Sequence, residues 1–382
     1  MRSRTFHSFK IFLIFFLLYI VAPSQVLSQF RTHKIIDNGS DFNKLVWVIM
    51  GDGYTESQLD DFHFDAIEVL FSVLLTPPWL NYISYLNVYL IDVTSDESGA
   101  DHPYHEIYVD TALDASYSSH KTERLLMVDD TKALDVASLI PTFDMAMILV
   151  NDDQFAGTSG STVVISNHWL AGRIALHELG HFIGGLADEY ENSRTVFPEG
   201  DLEPNLTCET ERDKIPWNRW INPMTPLPTP DIMSWVVGLF EGAIYMSTDI
   251  YRPRHVCMMR NILVPYCEVC TEAIILNIYN YVDPIRNYIP SESIVTFSPD
   301  EVLQFKVTLE RPLLHPLAVN WELDGHMLRG ENRDTLYLDC SNLREGVHTL
   351  KVHVMDKTSL VRNDPHHLLS SSHTWIMKGN SL

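Results

Sequence analysis

No cysteine stands before Cys208, so no lipid-attachment thiol is available near the start of the chain. Basic residues are also scarce: 27 Lys and Arg face 50 Asp and Glu, a formal charge of −23. That balance argues against nucleic acid and anionic membrane as partners and fits a solvated surface. Beyond the first 28 residues no apolar run approaches the length of a membrane span, so no span is expected in the mature chain. A second Cys-x-x-Cys is missing too, which leaves Cys267-Glu-Val-Cys270 as half a zinc ribbon without its other half. The five cysteines are Cys208, Cys257, Cys267, Cys270 and Cys340. One or two disulfides around this stretch are expected, with at least one thiol left over.

What is present begins with a targeting segment. Arg2, Arg4 and Lys10 precede an apolar run over 11–21, and Ser28 offers a small residue at its end. This reads as a secretory signal peptide over 1–28, cleaved before Gln29, and places the mature chain outside the cytoplasm: secreted, periplasmic or at the cell surface. Asn38-Gly-Ser and Asn205-Leu-Thr fit the glycosylation pattern. A length of 382 residues with 46% hydrophobic content is enough for more than one domain.

The apolar run 45–50, ending at Gly51-Asp-Gly, predicts a buried strand and a turn. Thr55 and Gln58 form a capping box for a helix to about Leu75, which Pro77 and Pro78 stop. Strands over 86–93 and 145–150 flank a helix over 132–140, an order that indicates a central sheet covered by helices. Further helices are expected over 231–243 and 271–282, with an irregular, proline-rich segment over 191–230. Asp283-Pro and Ile289-Pro mark a boundary, and from 291 the pattern alternates as in short strands. The fold expected is therefore an α/β (α+β) domain over 29–285 with a mixed sheet, then a small all-β, immunoglobulin-like sandwich over 291–382.

Chemistry concentrates in His177-Glu-Leu-Gly-His181-Phe-Ile-Gly-Gly-Leu-Ala-Asp188-Glu189. His-Glu-x-x-His on a helix sets two imidazoles one turn apart, where both can hold one zinc ion, with the glutamate beside it as general base. A hydrolytic zinc takes three protein ligands and keeps one position open. On a continued helix Asp188 would lie roughly 16 Å along the axis from His177, too far to share an ion. Gly184-Gly185 can end the helix and turn the chain back, which makes Asp188 the favoured third ligand and Glu189 the reserve.

The stretch His177 to Tyr190 resembles the signature of the secreted zinc metallopeptidase family named after its IgA-cleaving bacterial member. Gly51-Asp-Gly-Tyr-Thr55, Glu97-Ser-Gly-Ala-Asp-His-Pro103, Leu125-Leu-Met-Val-Asp-Asp130, Tyr251-Arg-Pro253 and Met258-Met-Arg260 follow in that family's order, over roughly 45–275. The resemblance implies a zincin-like peptidase with one catalytic zinc, an active-site helix, and Met258 or Met259 as a floor under the histidines. It also implies that the strand before the helix, near 162–166, borders the cleft and pairs with an extended substrate.

In this reading Glu178 is the general base, His177, His181 and Asp188 hold zinc, and Tyr251 stabilises the oxyanion, with Tyr190, His255 and Arg260 as alternatives. The substrate is a protein or peptide, glycoproteins included. Asp52 would orient a cleft loop or bind calcium, and Asp101 with His102 belong to a structural loop. The competing readings are a non-catalytic binder of glycoproteins or glycans, in which Glu178 would have no task, and a zinc amidase of cell-wall peptides.

Overall fold

A computed structural model describes residues 30–118, 124–191 and 202–379; the expected signal peptide lies outside them. The chain enters through β1 (Thr32–Ile36) and β2 (Leu45–Asp52), then α1 (Leu59–Leu74), a short α2 (Trp79–Tyr82) and β3 (Leu86–Ile91). A small pair, β4 (Ser116–Tyr117) and β5 (Leu126–Met127), precedes α3 (Asp130–Ala137), β6 (Met145–Val150), β7 (Gly157–Ser159), β8 (Val163–Ser166) and α4 (Ala171–Phe182).

One six-stranded sheet, in the order β1-β3-β2-β6-β8-β7, forms the centre. Its middle strands run parallel and the two edges antiparallel, so the sheet is mixed. All eight residues of β2 are buried, as a parallel strand with helices or loops on both faces requires. Alternation along it divides two cores. Leu45, Trp47 and Ile49 join α1 and α4 on one face, whereas Val46, Val48 and Met50 meet Ala133 and Ala137 of α3 on the other.

At the start of the α1 segment, Gln58 accepts from the Thr55 backbone N–H, so the capping box is formed.

Past α4 the expected helix over 231–243 is absent. A single 3-10 turn, Asp231–Met233, leads to the hairpin β9 (Phe240–Ala243) and β10 (Met246–Arg252). Two glycines explain the difference. Gly238 packs against the Thr229 side chain, which accepts from Leu239 N, and Gly242 takes φ +92°, a value no helix uses. The next helix, α5 (Glu268–Ile278), begins earlier than the periodicity suggested, with Cys267 as its N-cap.

The C-terminal strands are β11 (Ile285–Ile289), β12 (Ile294–Phe297), β13 (Val302–Leu309), β14 (Leu317–Leu323), β15 (His326–Met327), β16 (Thr335–Asp339), β17 (Val347–Asp356) and β18 (Ser370–Gly379). They form a three-stranded sheet, β11-β13-β16, and a five-stranded one, β12-β18-β17-β14-β15. Both contribute to one apolar core around Phe305, Trp321, Val352 and Trp375. Strand pairing starts at Ile285, ahead of the expected residue 291.

Candidate metal centre

Helix α4 is seated by close packing. Gly172 lies so near Ser72 of α1 that an added Cβ would come within 2.3 Å of the serine Cβ, and Ala175, Leu176 and Leu179 are fully buried. Under the histidine turn, Met259 presses its sulfur against Gly180, where a Cβ would meet it at 2.5 Å. His177 and His181 project from α4 with Nε2 atoms 3.2 Å apart.

The other nitrogen of each ring is already engaged. His177 Nδ1 lies 3.2 Å from the Met258 carbonyl and His181 Nδ1 lies 2.6 Å from the Leu186 carbonyl. A carbonyl only accepts, so each Nδ1 carries the proton and each Nε2 is left with a bare lone pair.

The chain then turns back. Gly185 takes φ +59°, its N–H donates to His181 O, and Leu186 N donates to Gly180 O. The buried Asn205 side chain grips Ala187 by both N–H and C=O, each at 2.9 Å. The side chains after Ala187 part company there. Asp188 reaches the histidines, with Oδ1 3.2 Å from His177 Nε2 and 3.3 Å from His181 Nε2. Glu189 goes into the core instead, beside Cys257, Cys267 and Cys270. The same grip bears on Asn205-Leu-Thr: Nδ2 donates to Ala187 O and Glu189 Oε1, so a glycan there would dismantle the turn that presents Asp188.

Two tyrosines close this corner. The Tyr245 hydroxyl donates to Asp188 Oδ2 at 2.8 Å, and the Tyr190 ring lies parallel to His177 at 6.2 Å. Tyr245 sits at the β9–β10 turn, where Ile244 and Tyr245 both adopt positive φ. That conformation is costly for non-glycine residues and is held here by backbone bonds from Ile244 N to Asp188 O and from Tyr245 N to Tyr190 O.

Glu178 projects from the same helix toward β7. Its Oε1 would lie 2.7 Å from a Cβ on Gly157, so only glycine leaves room for the carboxylate there. Burial pushes the Glu178 pKa up, with the neighbouring histidines opposing. Glu178, His177, His181, Asp188, Tyr190 and Tyr245 line a cavity of about 560 Å³, together with Arg124, Arg260 and the β7 residues Gly157, Thr158 and Ser159.

Several expected residues fall elsewhere. Tyr251 does not line this cavity: it lies within β10, its backbone paired with Thr207, with Glu241 and Asp249 as its acidic neighbours. The hairpin turn, not the strand, reaches the histidines, and it brings Tyr245. His255 lies beside Asp231. The cleft-bordering strand is β7, because β8 is flanked on both sides by β6 and β7. Asp52 is buried and accepts from Thr111, Leu113, Ala115 and Ser95, a loop organiser with its oxygens fully used. His102 pairs with Asp152 and stacks on Tyr117. The expected disulfides are not formed; Cys270 Sγ lies 3.5 Å from Cys257 Sγ and 3.4 Å from Cys267 Sγ.

Two imidazole lone pairs and a carboxylate oxygen, converging at the floor of a cleft on a mixed α/β scaffold, fit a metal-dependent hydrolase. Residues 34–235, more than half of the chain, match the model of the IgA Peptidase M64 family, and the chain belongs to that family. It is thus a peptidase of a metallopeptidase family, with protein as its substrate. A search of curated proteins returns no match. Among the described residues no single helix is long and apolar enough to cross a membrane.

Proposed function

We propose that the protein is a secreted zinc-dependent endopeptidase in which His177, His181 and Asp188 hold one catalytic ion and Glu178 is the general base. One observation carries the assignment: the two Nε2 atoms and Asp188 Oδ1 form a triangle with edges of 3.2, 3.2 and 3.3 Å. Ligands bound tetrahedrally at about 2.0–2.1 Å stand about 3.3–3.4 Å apart. Asp188 Oδ1 is moreover buried without a hydrogen-bond partner, a vacancy in its bonding that a cation fills. Nitrogen and carboxylate donors in this number suit zinc.

When bound, zinc supplies Lewis-acid chemistry, acidifying water toward a pKa of roughly 7 and polarising the scissile carbonyl. Glu178 would take the proton of the attacking water and deliver it to the leaving amine. Tyr245 fixes the orientation of Asp188, and Tyr190, which lines the same cavity, replaces Tyr251 as the phenol that would donate to the oxyanion. The edge strand β7 would align an extended substrate by strand addition beside Glu178. Residues 1–28 would direct export, residues 29–285 form the zincin-like catalytic domain, and the C-terminal sheets form an immunoglobulin-like accessory sandwich.

Hydrolysis of a fluorogenic casein by the mature chain tests this reading. Glu178→Gln should keep the wild-type metal content and lose about 10²–10⁴-fold in rate. Asp188→Ala should lose both activity and one equivalent of metal. Wild-type turnover by Glu178→Gln would refute the assignment.

A further inference from the structure

A second cluster lies directly behind the first. Cys257, Cys267, Cys270 and Glu189 are all buried, and one donor atom from each lies within 4.8 Å of every other. We infer that these four residues form a structural site for a thiophilic divalent cation of the zinc type, separate from the catalytic centre and independent of the peptidase reading.

Geometry favours an ion over a disulfide. Sulfurs on a tetrahedral zinc at about 2.3 Å stand about 3.8 Å apart, and a carboxylate oxygen stands about 3.5 Å from each sulfur. Cys270 Sγ lies 3.5 Å from Cys257 Sγ, 3.4 Å from Cys267 Sγ and 3.4 Å from Glu189 Oε1. A disulfide needs about 2.05 Å and uses two sulfurs, leaving the third thiol buried against a carboxylate. The second observation is Glu189 itself. It has no exposure, and its Oε2 has no hydrogen-bond partner. An unpartnered carboxylate oxygen in a core is costly unless a cation or donor meets it. The third group of this kind, His33, His63 and Asp92, shows the contrast: Asp92 gives one oxygen to each imidazole, at 3.1 and 2.6 Å, and none is left over.

The sequence supplies the missing half of the ribbon in an unexpected form. Cys267 caps α5 and Cys270 stands in its first turn, while the other two donors come from the loop at Cys257 and from Glu189. On binding, the three thiols release their protons to solvent and the thiolates and carboxylate take the ion. That donor set carries more negative charge than a divalent ion cancels, and the buried guanidinium of Arg252 acts on Glu189 through space to offset part of it.

The site would also brace the catalytic one. Glu189 follows Asp188 in the chain, its N–H donates to Met259 O, and the neighbouring Met258 carbonyl holds His177 Nδ1. An ion joining Glu189 to Cys257 therefore locks the turn that carries Asp188 to the loop that orients His177.

Cobalt(II) reconstitution of the mature chain distinguishes the two sites, because only thiolate ligation gives a sulfur-to-cobalt charge-transfer band. The wild type should bind about two ions per chain, one tetrahedral set at each site, and show the band. Asp188→Ala should keep the band with one ion fewer; Cys257→Ser with Cys270→Ser should lose the band and one ion. Glu189→Gln, which preserves volume, guards against misfolding of the cysteine variant and should weaken cobalt binding at this site about 10–100-fold. Absence of the band in the wild type overturns the inference, whether alkylation under denaturing conditions labels three thiols, as one disulfide would leave, or all five. Loss of casein hydrolysis with the band intact would strike the peptidase reading alone.

Discussion

At the scale of single residues, the proposed metal triangle depends on groups that hold its three side chains in place. His177 and His181 each commit Nδ1 to a backbone carbonyl, which fixes tautomer and ring plane together. Asp188 is oriented by the Tyr245 hydroxyl on its far oxygen. Tyr245→Phe should therefore lower zinc affinity about 10–100-fold, measured by chelator competition, with the fold intact. The three proposed ligands were legible because His177 and His181 follow helical spacing and Gly184-Gly185 announces a reversal that can return Asp188 to them. Their supports were not. A carbonyl such as Met258 O leaves no mark in side-chain chemistry, and Tyr245 comes from a hairpin more than fifty residues downstream, joined to Asp188 only by the tertiary fold. Tyr251 drew attention because it belongs to a familiar stretch, yet its place in β10 keeps its phenol away from the cleft.

At the scale of elements, α4 and β7 act as a unit. Gly157 faces the helix at Ile174 and Glu178, where a Cβ would lie 2.5 Å from the isoleucine Cγ2 and 2.7 Å from Glu178 Oε1. Both contacts are closer than packing allows, so Gly157→Ala must push β7 or the carboxylate aside. Overpacking of this kind costs about 1–3 kcal/mol of stability. The variant should bind metal as the wild type does and lose at least about tenfold in kcat/KM, since a misplaced base is felt steeply. Unchanged kcat/KM would show that Glu178 does not need this position. Elements with a strong periodic signal, such as β2 and α1, were readable from the sequence. The region 231–243 was misread because its apolar spacing imitates a helix while Gly238 and Gly242 serve close contacts and a positive φ visible only in three dimensions.

At the scale of the whole molecule, the C-terminal sheets are fastened to the sheet that bears the metal centre. Lys44, at the start of β2, pairs with Glu310 at 2.5 Å with both side chains nearly inaccessible, and donates to Ser84 O as well. Asp356, at the end of β17, accepts from Tyr82 and Tyr279 and meets His315. Removing one partner from a buried pair strands the other charge, so Lys44→Met should destabilise the protein by about 3–5 kcal/mol, read by urea unfolding. None of these pairings was legible, because Lys44–Glu310 and Tyr82–Asp356 span 266 and 274 positions, Tyr279–Asp356 still 77, and nothing in the residue types marks them as buried partners. The alternating pattern did reveal the C-terminal strands, though not that they begin at Ile285. In the proposed reading, what the molecule as a whole is arranged to do rests on one ion at His177, His181 and Asp188. Anomalous scattering from crystals of the mature chain, collected on both sides of the zinc edge, tests that claim most directly. The account predicts a zinc peak bounded by the two Nε2 atoms and Asp188 Oδ1, lost in Asp188→Ala. No peak there after growth with zinc, or a peak that survives the loss of Asp188 at full height, would contradict it.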